Sequence, residues 1–376
     1  MTEQLTDFLK AFGWDEQWND KRNAASDKLR DASPARVVAQ YSHAYKIITM
    51  GGERLANVSG RFEFQAESKG DFPAVGDWVM ADLLDESPPR AVIQAVLPRQ
   101  SAMVRKLAGS VPDEQIIGAN MDYLFITLAM NGDFNIRKLE RYLISAWESG
   151  AMPVVLLTKA DLCDDHSRYL AEVEDAAPGV PVHMVSALEN QGKEALMAYL
   201  KPGKTVAVIG SSGVGKSTLL NWLAMDHVQL TSDIRESDAR GRHTTTHREL
   251  FLLPTGALLM DTPGMRELQL WDSQEGWEQA FSDIEALVAQ CRYRDCKHEG
   301  EAGCAVRAAL QSGELDTGRY GNYKKTEREL ARLARKETTA MRQRDKKQST
   351  LKNARSRTAS RRSVENWEDF GESKRK

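Results

Sequence analysis

Hydrophobic positions between residues 121 and 210 fall into two alternating patterns. The run YLFITLAM (123–130) is apolar throughout, as expected of a strand buried on both faces. The next segment, NIRKLERYLISAWESG, places Ile136, Leu139, Leu143 and Ala146 on one face of a helix that should stop at Gly150. PVVLLTKAD, PVHMVSAL and KTVAVIG repeat the buried-strand pattern with helical segments between them, and LFLLPTGALLMDTPG reads as a strand pair. Strands alternating with helices predict an α/β domain with a mostly parallel sheet.

Upstream the texture differs. From about residue 36 to 105 there are four or five short strand-like runs, RVVAQYSHAYKIIT, RLANVSGRFEF, GDWVMADLL and RAVIQAVLPR, separated by Gly, Pro and acidic turn clusters. That spacing suits a small β-barrel such as an OB-fold. Downstream, 276–337 reads as helical around a Cys/His cluster. The expected organisation is multidomain α/β: an N-terminal segment (1–35), an OB-fold-like barrel (36–110), an α/β domain (115–275), a helical Cys/His domain (276–337) and a basic, disordered tail (338–376). There is no internal repeat.

Composition narrows the function classes. A chain of 376 residues, 41% hydrophobic and 28% charged, is that of an ordinary globular protein long enough for two or three cores. The polar start MTEQLTDFLK does not read as a signal peptide, and no apolar run approaches membrane-spanning length. A cytoplasmic monomer without membrane contact is expected. Residues 323–362 hold 15 Lys/Arg against 4 Asp/Glu, or +11, which leaves 36 basic and 50 acidic residues elsewhere, or −14. Such asymmetry fits a polyanionic partner such as nucleic acid, or equally a solvated tail with none.

The chemistry begins with GSSGVGKST: Gly210, Ser211, Ser212, Gly213, Val214, Gly215, Lys216, Ser217 and Thr218. Glycines at this spacing let consecutive backbone N–H groups turn inward around phosphates. Lys216 is placed to reach the β- and γ-phosphates, and Ser217 to bind Mg2+. The strand before and the helix after complete a phosphate loop. DTPG (Asp261 to Gly264) follows another apolar run, where a carboxylate can hold Mg2+ and the Gly264 amide can meet the γ-phosphate. Between them, GRHTTTHREL offers Thr245 or Thr246 as a further Mg2+ hydroxyl, or is a polar surface loop.

TKAD (Thr158, Lys159, Ala160, Asp161) precedes all of this. At a strand end, Asp161 would accept both hydrogens of guanine's N1/N2 edge, and the Lys159 stem would lie over the base. Ser186, Ala187 and Leu188 would supply backbone contacts to the base oxygen. The order is base reader, base loop, phosphate loop, switch threonine, DTPG. That is the usual GTPase order cut once and rejoined, so the expected ligands are GTP and GDP.

CRYRDCKHEGEAGC supplies Cys291, Cys296, His298 and Cys304. Three thiolates and an imidazole complete a tetrahedral zinc site with no open position, so one structural zinc per chain is expected. Cys163 stands apart from this cluster.

The rotated motif order resembles the circularly permuted GTPases. Together with the barrel, the GRHTTT loop and the Cys/His domain, it resembles the family of ribosome small-subunit-dependent GTPase A. The resemblance covers nearly the whole chain. It implies a circularly permuted P-loop GTPase domain and late maturation of the small (30S) ribosomal subunit. It also implies contact with that subunit's rRNA and slow GTP hydrolysis stimulated by the subunit. Two positions depart from the usual pattern. Thr158 stands where the base reader commonly begins with Asn, which predicts weaker guanine affinity. Gly213 stands where potassium-activated GTPases carry Asn, so potassium stimulation through that ligand is not expected.

The position after the DTPG glycine, often a water-orienting Gln, is Met265. Intrinsic hydrolysis is therefore expected at ~10⁻⁴ to 10⁻² s⁻¹. His243 reads from the sequence either as catalytic or as a solvated loop histidine; the resemblance implies the catalytic, water-positioning role, alongside Lys216. Two rival functions stay open at this level: a GTP-dependent RNA-binding module in which hydrolysis is incidental, and a signalling GTPase with a protein partner.

Overall fold

Five short strands, β1 (Ser33–Gln40), β2 (Tyr45–Thr49), β3 (Gly52–Val58), β4 (Trp78–Leu84) and β5 (Arg90–Val96), close into a barrel. Their order is β1-β2-β3-β5-β4, and β4 pairs back onto β1. The β3–β5 pair is parallel and the others antiparallel, so closure follows the OB-fold pattern. Inward positions, among them Val37, Ile47, Ala56, Val79 and Ile93, form the barrel's own core. The structure is a computed structural model that describes residues 8–25, 29, 31–42, 44–107, 113–224, 248–261, 274–332, 334–335 and 339.

Two local departures from the sequence pattern have clear causes. The alternating run GRFEF is a helix (Gly60–Gln65), because Ser59 caps it by accepting the Phe62 N–H at 3.1 Å. Residues 102–107 and 113–119 form a separate antiparallel ribbon of β6 (Ala102–Leu107) and β7 (Asp113–Ala119), beside the barrel rather than in it.

The second half of the sheet contains β8 (Tyr123–Ala129), β9 (Met152–Thr158), β10 (Val182–Val185), β11 (Thr205–Gly210), β12 (Arg248–Leu252) and β13 (Leu258–Asp261). Their order is β10-β9-β8-β11-β13-β12, and all but β12 are parallel. Both faces are covered, which is why these strands read as uninterrupted apolar runs. Leu124, Ile126, Leu157 and Ile209 belong to one core; Phe125, Leu156, Val206 and Val208 belong to the other. The helix Ile136–Ser149 buries Leu139, Leu143 and Ala146 and ends at Gly150, as its periodicity predicts.

The barrel and the parallel sheet are joined. Strand β12 pairs with β1, matching Ala39 with Glu249 and Gln40 with Arg248. Arg36, fully buried, donates to the carbonyls of Phe12 and Asn120 and to Thr205 Oγ1 at the start of β11. The N-terminal segment packs Trp14 against Trp78, with ring centroids 4.7 Å apart.

The helices Gln274–Ala280, Ser282–Val288 and Ala305–Ser312, with a further helix over 317–332, form a C-terminal module. Its seam with the nucleotide domain is electrostatic at its centre. Arg319, 7% exposed, meets Glu140 of the helix Ile136–Ser149 at 3.0 Å and Asp283 at 2.7 Å. Burial pushes the Glu140 carboxyl upward against the opposing pull of Arg319. A more exposed pair at 3.1 Å joins Arg141 of the same helix to Glu329 of the helix over 317–332.

Candidate functional site

Because β8, β9, β10, β11 and β13 are parallel, their carboxyl ends share one edge of the sheet. The register sets Thr158 level with Ala129 and Val185, and Gly210 level with Thr127. This is the edge at which open parallel sheets bind ligands. TKAD leaves β9 there, Ser186 follows β10, GSSGVGKST leaves β11, and Asp261 ends β13. Motifs about fifty residues apart, in rotated order, therefore meet side by side.

The phosphate loop is shaped by what lies beneath it. A Cβ on Gly210 would come within 2.1 Å of Thr127 Oγ1 and 2.6 Å of the Thr127 carbonyl, so only glycine fits. Thr127 is buried and donates to the Ile209 carbonyl at 2.7 Å, fixing the end of β11. Gly215 holds a φ of 93°, which favours glycine, before the helix Lys216–Ala224 begins. Lys216 Nζ donates to the carbonyls of Gly210 (2.8 Å) and Ser211 (2.6 Å), so its ammonium stands over the loop. The loop's amides and the helix N-terminus make a site suited to polyphosphate.

The base reader is tied to that loop. Thr158, 5% exposed, donates its Oγ1–H toward the Val214 carbonyl at 2.7 Å, with the Leu128 carbonyl at 3.2 Å. Lys159 takes a left-handed backbone, φ 59°, and its Cε lies 4.0 Å from where a Gly215 Cβ would stand. Its stem thus runs along the phosphate loop toward the edge. Ala160 is buried, and its carbonyl meets His166 Nε2 at 2.9 Å. Asp161 is held by Ser186, whose Oγ donates to Oδ1 at 2.5 Å while accepting the Glu189 N–H at 3.1 Å. Leu188, two residues beyond Ser186, is 77% exposed. A fixed acceptor carboxylate can read a base edge that offers two donors.

Several supporting residues carry no sequence signature. Thr127 lies in an apolar strand and His166 opens the helix His166–Ala176, and neither position attracts notice in the sequence. Ser186 is expected to act through its backbone, whereas the structure gives its hydroxyl to Asp161. Asn190 accepts from Trp222 Nε1 at 2.8 Å, joining the base loop to the phosphate-loop helix. Of the predicted site residues, His243, Thr245, Thr246 and Gly264, with neighbouring Met265, lie outside the described residues, as does the basic sequence beyond 339.

The second cluster is the candidate metal centre. The ligand atoms of Cys291, Cys296, His298 and Cys304 all lie within 4.8 Å of one another. Cys291 Sγ is 4.0 Å from Cys304 Sγ and 3.6 Å from His298 Nδ1, which is 3.4 Å from Cys304 Sγ. Zinc bonds of ~2.3 Å to sulfur and ~2.0 Å to nitrogen in a tetrahedron require edges of roughly 3.8 and 3.5 Å, so the donor set fits. The loop is braced by Glu301, whose carboxylate accepts the backbone N–H groups of Lys297, Glu299 and Gly300. Those amides pull its pKa down to about 2. Cys304 also caps the helix Ala305–Ser312. All four cysteines are free thiols, and Cys163 stands apart from the cluster.

Comparison with known proteins bears on this geometry. A family model described as RsgA GTPase matches residues 96–271. Small ribosomal subunit biogenesis GTPase RsgA 1 of Oceanobacillus iheyensis is 45% identical over 308 residues, covering 82% of this chain and 88% of its own length. RsgA 2 of Lactiplantibacillus plantarum is 48% identical over 296 residues, covering 79% and 83%. Among solved structures, YjeQ from Thermotoga maritima superposes with a TM-score of 0.59 at 26% identity, covering 80% of this chain and 98% of its own. YloQ, described as a circularly permuted GTPase, gives 0.55 at 22% identity over 83% and 98%, a likeness of fold alone.

Proposed function

The chain belongs to the RsgA GTPase family and is a GTP hydrolase, and on that premise we propose that it binds the small ribosomal subunit and assists its late maturation, with hydrolysis stimulated by that subunit. The relatives' shared description, small ribosomal subunit biogenesis GTPase, supports this role. The observation that carries the nucleotide reading is the Thr158–Val214 bond, which fastens a base reader to a phosphate loop across one sheet edge.

In this reading Asp161, fixed by Ser186, accepts the two donors of guanine's N1/N2 edge. Adenine lacks the exocyclic amine and is rejected. The Lys159 stem covers the base, Ala160 spaces it from Asp161, and the backbone of Ser186 to Leu188 meets the base oxygen. The loop from Gly210 to Thr218 cradles the phosphates, and Lys216 transfers its ammonium from the Gly210 and Ser211 carbonyls to the β- and γ-phosphates. Ser217, Asp261 and either Thr245 or Thr246 would hold magnesium, which neutralises charge on the phosphates when bound. The Gly264 amide would meet the γ-phosphate, and His243 would orient the attacking water. The Cys291, Cys296, His298 and Cys304 set would hold one structural zinc. The protein acts in the cytoplasm as a monomer, and the basic tail adds affinity for rRNA phosphates.

GTP turnover measured with purified small subunits, large subunits and free rRNA tests this role. Stimulation by small subunits above the other two supports it. Equal rates in all three would overturn it and favour a GTP-dependent RNA-binding module.

A further inference from the structure

Strand β12 begins at Arg248, two residues after Thr246 and five after His243. What fixes the start of β12 is not the parallel sheet alone. On one side it pairs with β13 through Glu249–Asp261 and Leu250–Met260; on the other it pairs with barrel strand β1 through Ala39–Glu249 and Gln40–Arg248.

The side chains extend this junction. Arg248 donates to Gln40 Oε1 of β1 at 3.4 Å and to the Ile116 carbonyl of β7 at 3.2 Å. Its guanidinium is half-buried, and desolvation, with Arg105 nearby, pulls its pKa down. Glu249 faces Lys46 of β2 at 3.7 Å, and Lys46 also meets Glu53 of β3 at 3.5 Å. The first two residues of β12 thus touch three strands beyond the nucleotide half of the sheet, β1, β2 and β7. A charged side chain kept half-buried on a backbone carbonyl and an amide, with no described carboxylate within ion-pair distance, is costly unless the position is needed.

We propose that Arg248 is a positioning residue that transmits engagement of the barrel to GTP hydrolysis. Through Gln40 and Ile116 it clamps β12 to the barrel and the β6–β7 ribbon. A polyanionic RNA surface that seats on the barrel therefore also holds β12 against β13, which ends at Asp261. The inference rests on the subunit-stimulated GTPase reading above.

The experiment compares wild type with Arg248→Met, Arg248→Lys, Gln40→Met and the Arg248→Met/Gln40→Met double variant. The readouts are GTP Kd, unstimulated kcat, the subunit Kd with its salt dependence, and kcat at saturating small subunits. Arg248→Met is expected to lower the stimulated kcat on the order of tenfold while the other three hold, a loss confined to the stimulated state. Arg248→Lys keeps a donor and should retain part of the stimulation. The double variant should lose no more than Arg248→Met alone, since both act through one contact. An unchanged stimulated kcat overturns the proposal. So does a weaker subunit Kd with full kcat at saturation, which makes Arg248 a docking residue. A proportional fall in the unstimulated rate overturns it too, because the defect then lies in the site itself. Absence of stimulation in the wild type removes the underlying reading as well, and is distinguished from the other outcomes by appearing before any substitution.

Discussion

Replacing Thr158 by valine removes one hydroxyl and keeps the side chain's shape. The threonine has a single proton to donate. At 2.7 Å the Val214 carbonyl is its principal acceptor, and the Leu128 carbonyl at 3.2 Å takes the weaker share. Val214 is 4% exposed, so in the variant its carbonyl loses a donor where solvent barely reaches. A buried acceptor left unpaired costs about 1–3 kcal/mol. Were the loop rigid, that cost would fall on the fold and nucleotide affinity would hold. Val214 belongs to the phosphate loop, however, and the loop can relieve the cost by moving outward. Nucleotide must then restore the loop as it binds. The expected result is a rise of about tenfold in Kd, equivalent to ~1.4 kcal/mol. Thr158 faces a carbonyl at the foot of the loop, so GTP and GDP should suffer alike. Equilibrium titration with fluorescent GDP and GTP measures this, and melting of the nucleotide-free protein measures the share borne by the fold. Thr158→Ser should bind like wild type. Thr158→Asn should bind at least as tightly, because its amide offers a donor to the same carbonyl. Wild-type affinity in Thr158→Val, or equal damage from Thr158→Ser, would refute the tether.

Asp161→Asn should shift preference from guanine to xanthine nucleotides, read by competition binding; unchanged guanine selectivity would remove Asp161 from base recognition. Cys296→Ser should lower zinc content below one equivalent and the melting temperature of the C-terminal module while GTP binding holds, as metal analysis and titration would show. Arg319→Met strands Glu140, which is 2% exposed, and should destabilise the seam by about 3–5 kcal/mol. Arg319→Met/Glu140→Met should recover much of that loss in denaturant unfolding, and no recovery would mean the pair is not the seam's centre. His243→Ala should keep GTP and subunit binding but lose stimulated turnover on the order of 10²-fold; full stimulation would assign the water to another group.

The sequence by itself determined the parts and their chemistry. Uninterrupted apolar runs such as YLFITLAM announce strands covered on both faces, and the spacing of Ile136, Leu139, Leu143 and Ala146 sets a helix face, because burial imposes its own period on a chain. The glycine-rich loop and the clustered Cys/His ligands were legible because phosphate cradles and tetrahedral metals tolerate few residue types and spacings. Tertiary structure decided how these parts are fastened. Thr158 reads in sequence as a departure that weakens base recognition; only the register that sets β9 beside the phosphate loop makes its hydroxyl a tether. Ser186 reads as backbone, and only the turn after β10 aims its side chain at Asp161. The β6–β7 ribbon and the β1–β12 junction escaped because cross-strand pairing leaves no local period that names the partner. The same holds for Arg319, whose partner Glu140 lies 179 residues away. Local pattern records what each segment buries, whereas the partner that covers it is chosen only when the whole chain closes.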